Sequence, residues 1–474
     1  MLRRRIRLLI VLFVVATACE HGALVHAQEL PSQWSNPQPL LVMPSGDNGT
    51  IPNVFTGQSG NAYLLFFGRP DGANDSIYSL YYSRWVEGNW QPIKDVVVTP
   101  DGGMPETVVG VEDASGYLHV FWTGSTAWYS KAHVNEAENP RAWTQPVGVF
   151  DQGQVLSLAA VADANGAIHL LLTTTNRDVY SLSLSADGTP GDPVLVYHVD
   201  SHYPHYTSLV LTNSGKLIGC WNDVNGVEDG RARGALCATS NDGGASWTLP
   251  EDIATGHYWG GIFYFAATNT LARIIGGGTG VGGRTIELSQ DDGASWLPSA
   301  DLTQGAEMGG YNNHVAAIDS ADNMHVLVNP GDGKHVHSSL RNSVWTPNTP
   351  AGWSAWDWIS MTTAQGNTMV ATWWLNNTVF VSSLQVDAPL VIPGELPPPL
   401  PTALPQAVSG NVNPIIGDAA ATTSDQTTSI PQRFLAALPF VQTLGRSTLL
   451  FLSVLPALVL VLMVVVWQAI RVRR

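Results

Sequence analysis

One eight-residue phrase occurs twice near the middle of the chain, with its copies 49 positions apart. The shared residues are Ser240, Asp242, Gly244 and Trp247 in the first copy, and Ser289, Asp291, Gly293 and Trp296 in the second. In such a phrase the aspartate can accept backbone N–H groups across a tight turn, while the glycine supplies positive φ. Because a repeat of this length is typical of propeller blades and solenoid units, the phrase predicts a repeat protein of β-hairpins.

The pattern S-x-D-x-G-x-x-W resembles the Asp box, so the chain is similar here to the Asp-box (BNR-repeat) β-propellers of the sialidase-like superfamily. In that superfamily the boxes are structural loops that lie away from the active site. The resemblance therefore implies a propeller fold and assigns no chemistry to these residues.

A turn followed by an alternating strand recurs along the chain and sets the number of units. The turns lie at Gly60, Gly116, Gly166, Gly215, Asn269, Asn323 and Gly366. A second marker, Trp followed closely by Pro, occurs at Trp34, Trp90, Trp143, Trp247, Trp296 and Trp345. These units predict an all-β propeller of seven four-stranded blades, with six as the alternative if one unit is irregular. We expect the strand after Trp34 to complete the last blade and close the ring.

The ends of the chain predict export and a membrane anchor. Residues 1–27 have the basic start, apolar run and small-residue site of a secretory signal peptide. Residues 448–470 form an apolar segment long enough to span a bilayer, and the basic tail 471–474 should stay cytoplasmic. A buried core helix is the alternative for that segment. The Pro-, Thr- and Ser-rich residues 389–447 predict a stalk, which leaves 28–388 for the propeller.

The charge balance disfavours nucleic acid as a partner. Without the predicted signal peptide and tail, the chain has 15 basic and 37 acidic residues, a net charge of about −22. Nucleic-acid binding needs clustered Lys and Arg, so we expect no nucleic-acid partner. The same charge gives an anionic sugar no general attraction.

Two cysteines remain after the signal peptide, and both flank one predicted hairpin. Cys220 and Cys237 are equidistant from the middle of the intervening segment, so an antiparallel pairing would bring them together. An oxidising compartment would allow a disulfide between them, and two buried free thiols are the alternative.

The resemblance to sialidases implies three arginines on a substrate carboxylate, a Tyr–Glu nucleophile pair and an aspartate acid/base. The first family arginine belongs to a Phe/Tyr-Arg-Ile-Pro motif, which this chain lacks; the nearest segment, Phe67-Gly68-Arg69-Pro70, has the wrong spacing. A site could be assembled only from residues outside any family motif, namely Arg69, Arg231, Arg284, Glu287 and Tyr311. We leave catalysis open and favour a binding function.

Polar and aromatic residues gather in the segments before the predicted innermost strands, which should meet at one mouth of the channel. They include Glu106, His202, His205, Tyr206, His257, Tyr258, Trp259, Tyr311, Asn313, His314 and Trp356. Such groups suit a carbohydrate, and packing between blades is the alternative role for each of them. No tight spacing of metal ligands occurs, so we expect no metal and no cofactor. The recurrence of His119, His169 and His325 at one place in three units indicates packing.

Three classes of function stay open for this membrane-anchored, extracytoplasmic propeller. It binds a glycan or a surface protein at the channel mouth, or it is an exo-sialidase-type glycoside hydrolase, or it is a structural propeller that docks another envelope protein. The first is favoured.

Overall fold

The structure is a computed structural model that describes residues 33–43, 49–73, 77–200, 202–224, 232–253, 259–278, 281–301, 314–328, 334–342, 344–355 and 359–392. Within these ranges there is no α-helix, and one short 3-10 helix spans Pro140–Ala142. No helix in this part of the chain is long and apolar enough to cross a membrane. The predicted signal peptide, most of the predicted stalk, the predicted membrane segment and the tail lie outside the described residues.

Seven antiparallel sheets form the seven blades of a propeller. The chain enters through β1 (Gln38–Val42). Blade 1 contains β2 (Asn53–Thr56), β3 (Ala62–Gly68), β4 (Ser79–Val86), β5 (Asn89–Trp90) and β6 (Lys94–Val98). Blade 2 contains β7 (Val108–Glu112), β8 (Tyr117–Thr123), β9 (Ala127–His133) and β10 (Val147–Gly148). Blade 3 contains β11 (Val155–Ala162), β12 (Ile168–Thr174), β13 (Asp178–Leu184) and β14 (Val194–His198).

The remaining blades repeat the same order from the innermost to the outermost strand. Blade 4 contains β15 (Tyr203–Leu211), β16 (Leu217–Val224), β17 (Ala232–Ser240) and β18 (Glu251–Asp252). Blade 5 contains β19 (Trp259–Phe265), β20 (Thr270–Gly278), β21 (Val281–Ser289) and β22 (Leu297–Asp301). Blade 6 contains β23 (His314–Ile318), β24 (Met324–Val328), β25 (Lys334–Arg341), β26 (Val344–Trp345) and β27 (Thr349–Ser354). Blade 7 contains β28 (Ile359–Ala364), β29 (Thr368–Leu375) and β30 (Thr378–Gln385). In blades 1 and 6 two short segments share the outermost position, both paired with the third strand.

The first strand closes the ring. Strand β1 pairs antiparallel with β30 and so becomes the outermost strand of blade 7. The backbone N–H of Ser35 extends this pairing by donating to Ser383 O at 2.7 Å, and Trp34 packs edge-on against Trp353. The predicted closure and the predicted seven blades are confirmed, and the six-bladed alternative is wrong.

The antiparallel strand order defines two faces of the ring. The linkers between blades and the turns between second and third strands share one face, here called the mouth face. Examples are the linkers 99–107 and 149–154 and the turns 124–126 and 175–177. The turns between first and second strands and the loops before the outermost strands share the other, here called the turn face. Since the innermost strands begin at the mouth face, the residues just before them surround the channel opening.

Hydroxyl groups on the innermost strands join neighbouring blades around the channel. Thr207 N of blade 4 donates to Ser157 Oγ of blade 3 at 2.9 Å, and Ile262 N of blade 5 donates to Ser208 Oγ of blade 4 at 3.2 Å. These bonds satisfy N–H groups on the open edge of each inner strand. Away from the channel, large side chains of adjacent blades interleave, as where Phe67 of blade 1 meets Trp122 of blade 2.

Three blades contain the same Asp–His pair at the turn face. The pairs are Asp113–His119 and Asp319–His325, each with 3.1 Å between Oδ2 and Nε2, and Asp163–His169 with 3.7 Å. In each turn the other carboxylate oxygen accepts the backbone N–H groups two and four residues on. Burial lowers the pKa of His119 and His169, so these rings stay neutral. The repetition supports the packing role expected for these histidines. In blade 6 the positive φ falls at Asp322, one residue before the expected Asn323.

The two copies of the repeated phrase form two loops with matching hydrogen bonds at the turn face. In the first, Ser240 Oγ donates to Asp242 Oδ1 at 2.7 Å, and Ser246 N donates to the same oxygen at 2.9 Å. Trp247 Nε1 donates to Gly244 O at 3.2 Å, which holds the ring beneath the loop. The second copy repeats these contacts at 2.8, 2.8 and 3.2 Å. Both loops lie on the face opposite the channel mouth.

Cys220 and Cys237 are directly opposed in the register of β16 and β17 and are joined by a disulfide of 2.08 Å. Their Cα atoms are 4.1 Å apart. The bridge cross-links the second and third strands of blade 4.

After β30 the described chain runs back over the turn face. Val386 N donates to Asn367 O, and Val391 N donates to Gln365 O, each at 2.8 Å. Residues 386–392 therefore lie beside the first turn of blade 7 and leave the mouth face uncovered.

Candidate functional site

Glu106 and His205 meet at the channel opening. Glu106 lies in the linker before β7, where Thr123 Oγ1 accepts its backbone N–H at 2.9 Å. His205 lies on β15, the innermost strand of blade 4, and its Nε2 is 3.8 Å from Glu106 Oε2. The contact passes over the start of blade 3. The Glu106 side chain is 58% exposed and that of His205 is 14% exposed, so the carboxylate faces solvent while the ring is largely enclosed.

A bulge in β15 orients His205. Tyr206 has φ of 53°, and the register of β15 against β16 shifts between His205 and Ser208. This conformation lets Tyr206 N donate to His205 Nδ1 at 2.9 Å. Since Nδ1 is an acceptor here, the neutral ring has its proton on Nε2, the atom that faces Glu106. The Tyr206 ring lies 4.2 Å from the imidazole, centroid to centroid.

A second acid–histidine pair and an arginine extend the polar surface across blades 3 and 4. His202 Nδ1 is 3.4 Å from Asp223 Oδ2, and each side chain is 17% exposed. Arg177, in the mouth-face turn of blade 3, lies over the Tyr203 ring at 5.3 Å and donates to Asp200 O at 2.8 Å. His202 and Tyr203 were expected at this face from the sequence. Asp223 lies on the second strand of blade 4 and Arg177 in a turn between second and third strands, so neither belongs to the segments before inner strands on which that prediction was based.

An open cleft of about 420 Å³ adjoins this opening, over blade 2. It lies between the linker that leads to Glu106 and the turn after β8. Its lining residues are Thr99, Asp101, Gly103, Met104, Pro105, Trp122, Thr123, Gly124, Ser125, Trp128 and Gln154. None of these was predicted as a site residue. The turn after β8 could have been found by listing second-to-third-strand turns as well as linkers, since both lie at the mouth face.

The arginine and glutamate candidates for a sialidase site do not come together among the described residues. Arg69 lies in the mouth-face turn of blade 1, with its guanidinium 5.8 Å from the Tyr78 ring centroid. Glu287 instead forms an ion pair with Arg273, at 2.6 Å between Oε2 and Nη2. Arg273 in turn lies over the Trp296 ring at 4.2 Å. Since Trp296 belongs to a turn-face loop, Glu287 lies at the end of blade 5 away from the channel mouth.

Several predicted residues cannot be placed. Arg231, His257, Tyr258, Tyr311, Asn313 and Trp356 lie outside the described residues, as do the side chains of Trp259, Arg284 and His314. Of the predicted ligand-binding set, the structure brings together Glu106, His205 and Tyr206, with His202 close along the chain. In the part of the chain that is described, no group of three or more His, Cys, Asp or Glu side chains could hold a metal ion.

No protein-family model and no curated protein matches the chain. Several solved structures match it by fold. A lectin from Burkholderia pseudomallei is 12% identical, with 74% of this chain and 99% of the lectin covered and a TM-score of 0.55. An ulvan lyase, from a family of polysaccharide lyases, is 12% identical, with 74% and 96% covered and a TM-score of 0.51. A Hadza microbial sialidase is 11% identical, with 71% and 65% covered and a TM-score of 0.42. Identities this low establish a shared fold and nothing about activity.

The fold and the site together define a class: a seven-bladed β-propeller with acidic, imidazole and aromatic groups at one channel mouth.

Proposed function

We propose that the protein is a membrane-anchored, extracytoplasmic propeller that binds a carbohydrate at its mouth face. The observation that carries this proposal is the convergence of Glu106 and His205 at the channel opening, next to an open cleft. Carboxylate and imidazole groups form hydrogen bonds with sugar hydroxyl groups, and aromatic rings stack on the apolar faces of sugar rings.

The fold likeness to a lectin and to a polysaccharide lyase supports the carbohydrate class, since both are named for what they do with saccharides. These likenesses are of fold alone. The side chains at the mouth face are what favour a saccharide in this chain.

Anchoring is proposed from the sequence of residues 448–470, and export from residues 1–27. The last described residues, 386–392, lie at the turn face. The first residues of the proposed stalk, 389–392, therefore lie on the face opposite the channel mouth.

An exo-sialidase is the second candidate, because the repeated phrase resembles the Asp box of sialidase-like propellers and its two copies form loops with matching hydrogen bonds. This resemblance supports the fold and assigns no reaction. A sialic acid needs a cluster of cations for its carboxylate. The described mouth-face arginines contact different aromatic rings, Arg69 that of Tyr78 and Arg177 that of Tyr203, and no contact in the described residues joins them in such a cluster. We therefore favour binding over this reaction.

A propeller that only docks another envelope protein would need a continuous apolar patch. Exposed large apolar side chains in the described chain include one on, or for Leu249 just before, the outer strand of each blade, namely Val42, Val98, Val147, Leu195, Leu249, Leu297 and Val344. Their distribution around the circumference does not favour a single docking patch.

The test is to probe a glycan array with the full-length protein purified in detergent. The wild-type chain is compared with Glu106→Gln and His205→Ala, and a fluorogenic sialoside assay is run on the same samples. We expect wild-type binding to a set of saccharides and at least tenfold weaker binding by both variants. His198→Ala is the matched control. His198 lies on the outer strand of blade 3 and forms a similar pair with Asp178 on the third strand.

Equal binding by wild type and both mouth variants would contradict the proposal. Release of the fluorophore by the wild type, lost in Arg69→Ala, would favour the sialidase instead.

A further inference from the structure

The cleft over blade 2 contains one carboxylate that is fixed in place before any ligand arrives. Asp101 Oδ2 accepts hydrogen bonds from Trp128 Nε1 at 2.7 Å, Ser125 N at 2.9 Å and Ser125 Oγ at 3.0 Å. Burial alone raises the pKa of Asp101, but these three bonds outweigh it and leave the pKa lowered. The carboxylate is therefore ionised at neutral pH and held rigidly at the cleft wall.

The local sequence permits this arrangement through a glycine. A Cβ atom at Gly124 would lie 2.6 Å from Asp101 Oδ2 and 3.0 Å from Trp128 Nε1. A side chain at this position would therefore have to displace the linker aspartate or the Trp128 indole from their contact over the turn. The contact joins the linker from blade 1 to a strand of blade 2, so its geometry belongs to the folded ring.

The lining of the cleft combines an aromatic wall, an apolar rim and hydrogen-bonding groups. Trp128 forms part of the wall, Met104 is 43% exposed at the rim, and Gln154 contributes an exposed amide. The volume of about 420 Å³ lies within the range of small-molecule sites, roughly 300–1,000 Å³. An indole ring beside a fixed acceptor is a pairing that suits a sugar ring, which has an apolar face and a rim of O–H donors.

The charge of the lining selects among sugars. Asp101 is the one ionisable side chain among the described lining residues, and they include no Lys or Arg. Glu106, directly after the lining residue Pro105, adds a second negative charge nearby. An anionic sugar would place like charges together at short range without a cation to offset them.

We propose that this cleft binds an uncharged sugar residue, whose hydroxyl groups donate to Asp101 and whose ring packs against Trp128. The inference rests on the proposed function for the class of ligand, and it adds a second binding position and a selection against uronic, sialic and sulfated sugars. A saccharide that reaches from the channel mouth past Pro105 would occupy both positions.

The test uses calorimetric titration of the full-length protein in detergent with two matched panels, neutral oligosaccharides and their uronate- or sialate-containing counterparts. We expect the neutral panel to bind at least tenfold more tightly than the anionic panel. Asp101→Asn should weaken neutral binding about tenfold or more, because it removes a charged acceptor. Asp187→Asn is the matched control, since Asp187 is also held by a serine O–H and a backbone N–H but lies at the turn face.

A second variant keeps the test decisive if Asp101→Asn does not fold. Met104→Lys places a cation at the rim without touching the Asp101 contacts, and it should raise affinity for the anionic panel at least tenfold.

Three results would overturn the inference. The first is binding of anionic saccharides to the unmodified protein as tightly as neutral ones. The second is loss of neutral binding in His205→Ala with unchanged neutral binding in Asp101→Asn. This result would exclude the cleft as a binding position and leave the proposed function intact. Binding of no saccharide in either panel would overturn both proposals.

Discussion

The carboxylate of Glu112 in blade 2 accepts a hydrogen bond from the Tyr63 hydroxyl of blade 1, with 3.1 Å between the oxygens. Ser59 Oγ donates to the same oxygen at 2.7 Å. In the first turn of blade 1, Gly57 occupies the place that an aspartate occupies in blades 2, 3 and 6, and a Cβ there would overlap the Glu112 carboxylate. The neighbouring blade thus provides the carboxylate that this turn lacks.

Glu112→Ala should lower the free energy of unfolding by about 1–3 kcal/mol, because it leaves the buried Tyr63 hydroxyl without its acceptor. Adding Gly57→Asp should recover part of the loss, since blade 2 has Asp113 at the position of Gly57 and blade 3 has Ala162 at the position of Glu112, the last residue of its innermost strand. Urea unfolding of the two variants measures both effects. The exposed Glu136→Ala serves as control, and a double variant less stable than the single one would contradict this account.

Mild acid should destabilise the propeller through His337. Burial, with a smaller effect of the nearby His325 charge, lowers the pKa of His337 to about 3. The unfolded chain takes up this proton below about pH 6.5. The contribution of His337 to the free energy of unfolding is therefore complete above pH 6.5 and is lost as the pH falls toward 3. At pH 5 the loss is about 2 kcal/mol.

His337→Phe should reduce the difference in unfolding free energy between pH 7.5 and pH 5, because the ring can no longer titrate. The phenyl ring can keep the stacking on His325 and the edge contact with Trp34. Urea unfolding at both pH values measures the effect, and an unchanged pH dependence would assign it to other groups.

Gly244→Ala should destabilise blade 4 by more than backbone strain alone. Gly244 has φ of 92°, and a Cβ there would lie 2.7 Å from Ser181 Oγ of blade 3. Gly215→Ala is the matched control, since Gly215 has φ of 83° and open space around its Cβ position. We expect Gly215→Ala to lower the free energy of unfolding by about 1–2 kcal/mol through backbone strain, and Gly244→Ala to lower it by more. Equal losses in thermal or urea unfolding would mean that the contact between blades 3 and 4 adds nothing.

Removing the disulfide should lower the free energy of unfolding by about 3 kcal/mol, the value expected for two cysteines 17 residues apart. The double variant Cys220→Ala/Cys237→Ala and the reduced wild type should unfold at similar, lower urea concentrations than the oxidised wild type. An identical midpoint for oxidised and reduced protein would show that the bridge does not stabilise the native chain.

The blade number and the ring closure followed from the sequence because each depends on a local pattern. Turn glycines such as Gly116 and the Trp34 marker repeat with each unit, so counting them counts the blades. The recurrence of His119, His169 and His325 in three units was also visible in the sequence, whereas the aspartate that pairs with each histidine was identified only in the structure.

The candidate site was predictable only in part, since its partners come from different blades. Glu106 and His205 were expected at the same face. Their contact, however, depends on the distance between the inner strands of blades 2 and 4, which the sequence does not give. Asp101 and Trp128 are joined through the space at Gly124, which no spacing in the sequence reveals. The partner of Glu287 could not be predicted because it depends on the direction of this side chain on β21, and in the structure Glu287 pairs with Arg273.

The most direct test of saccharide binding at the mouth face is hydrogen–deuterium exchange with and without a saccharide identified on the array. The account predicts slower exchange in peptides covering 99–107 and 203–207 on binding, with no change in the turn-face loops 240–247 and 289–296. Protection confined to the turn-face loops, or no protection at a saturating saccharide concentration, would contradict it.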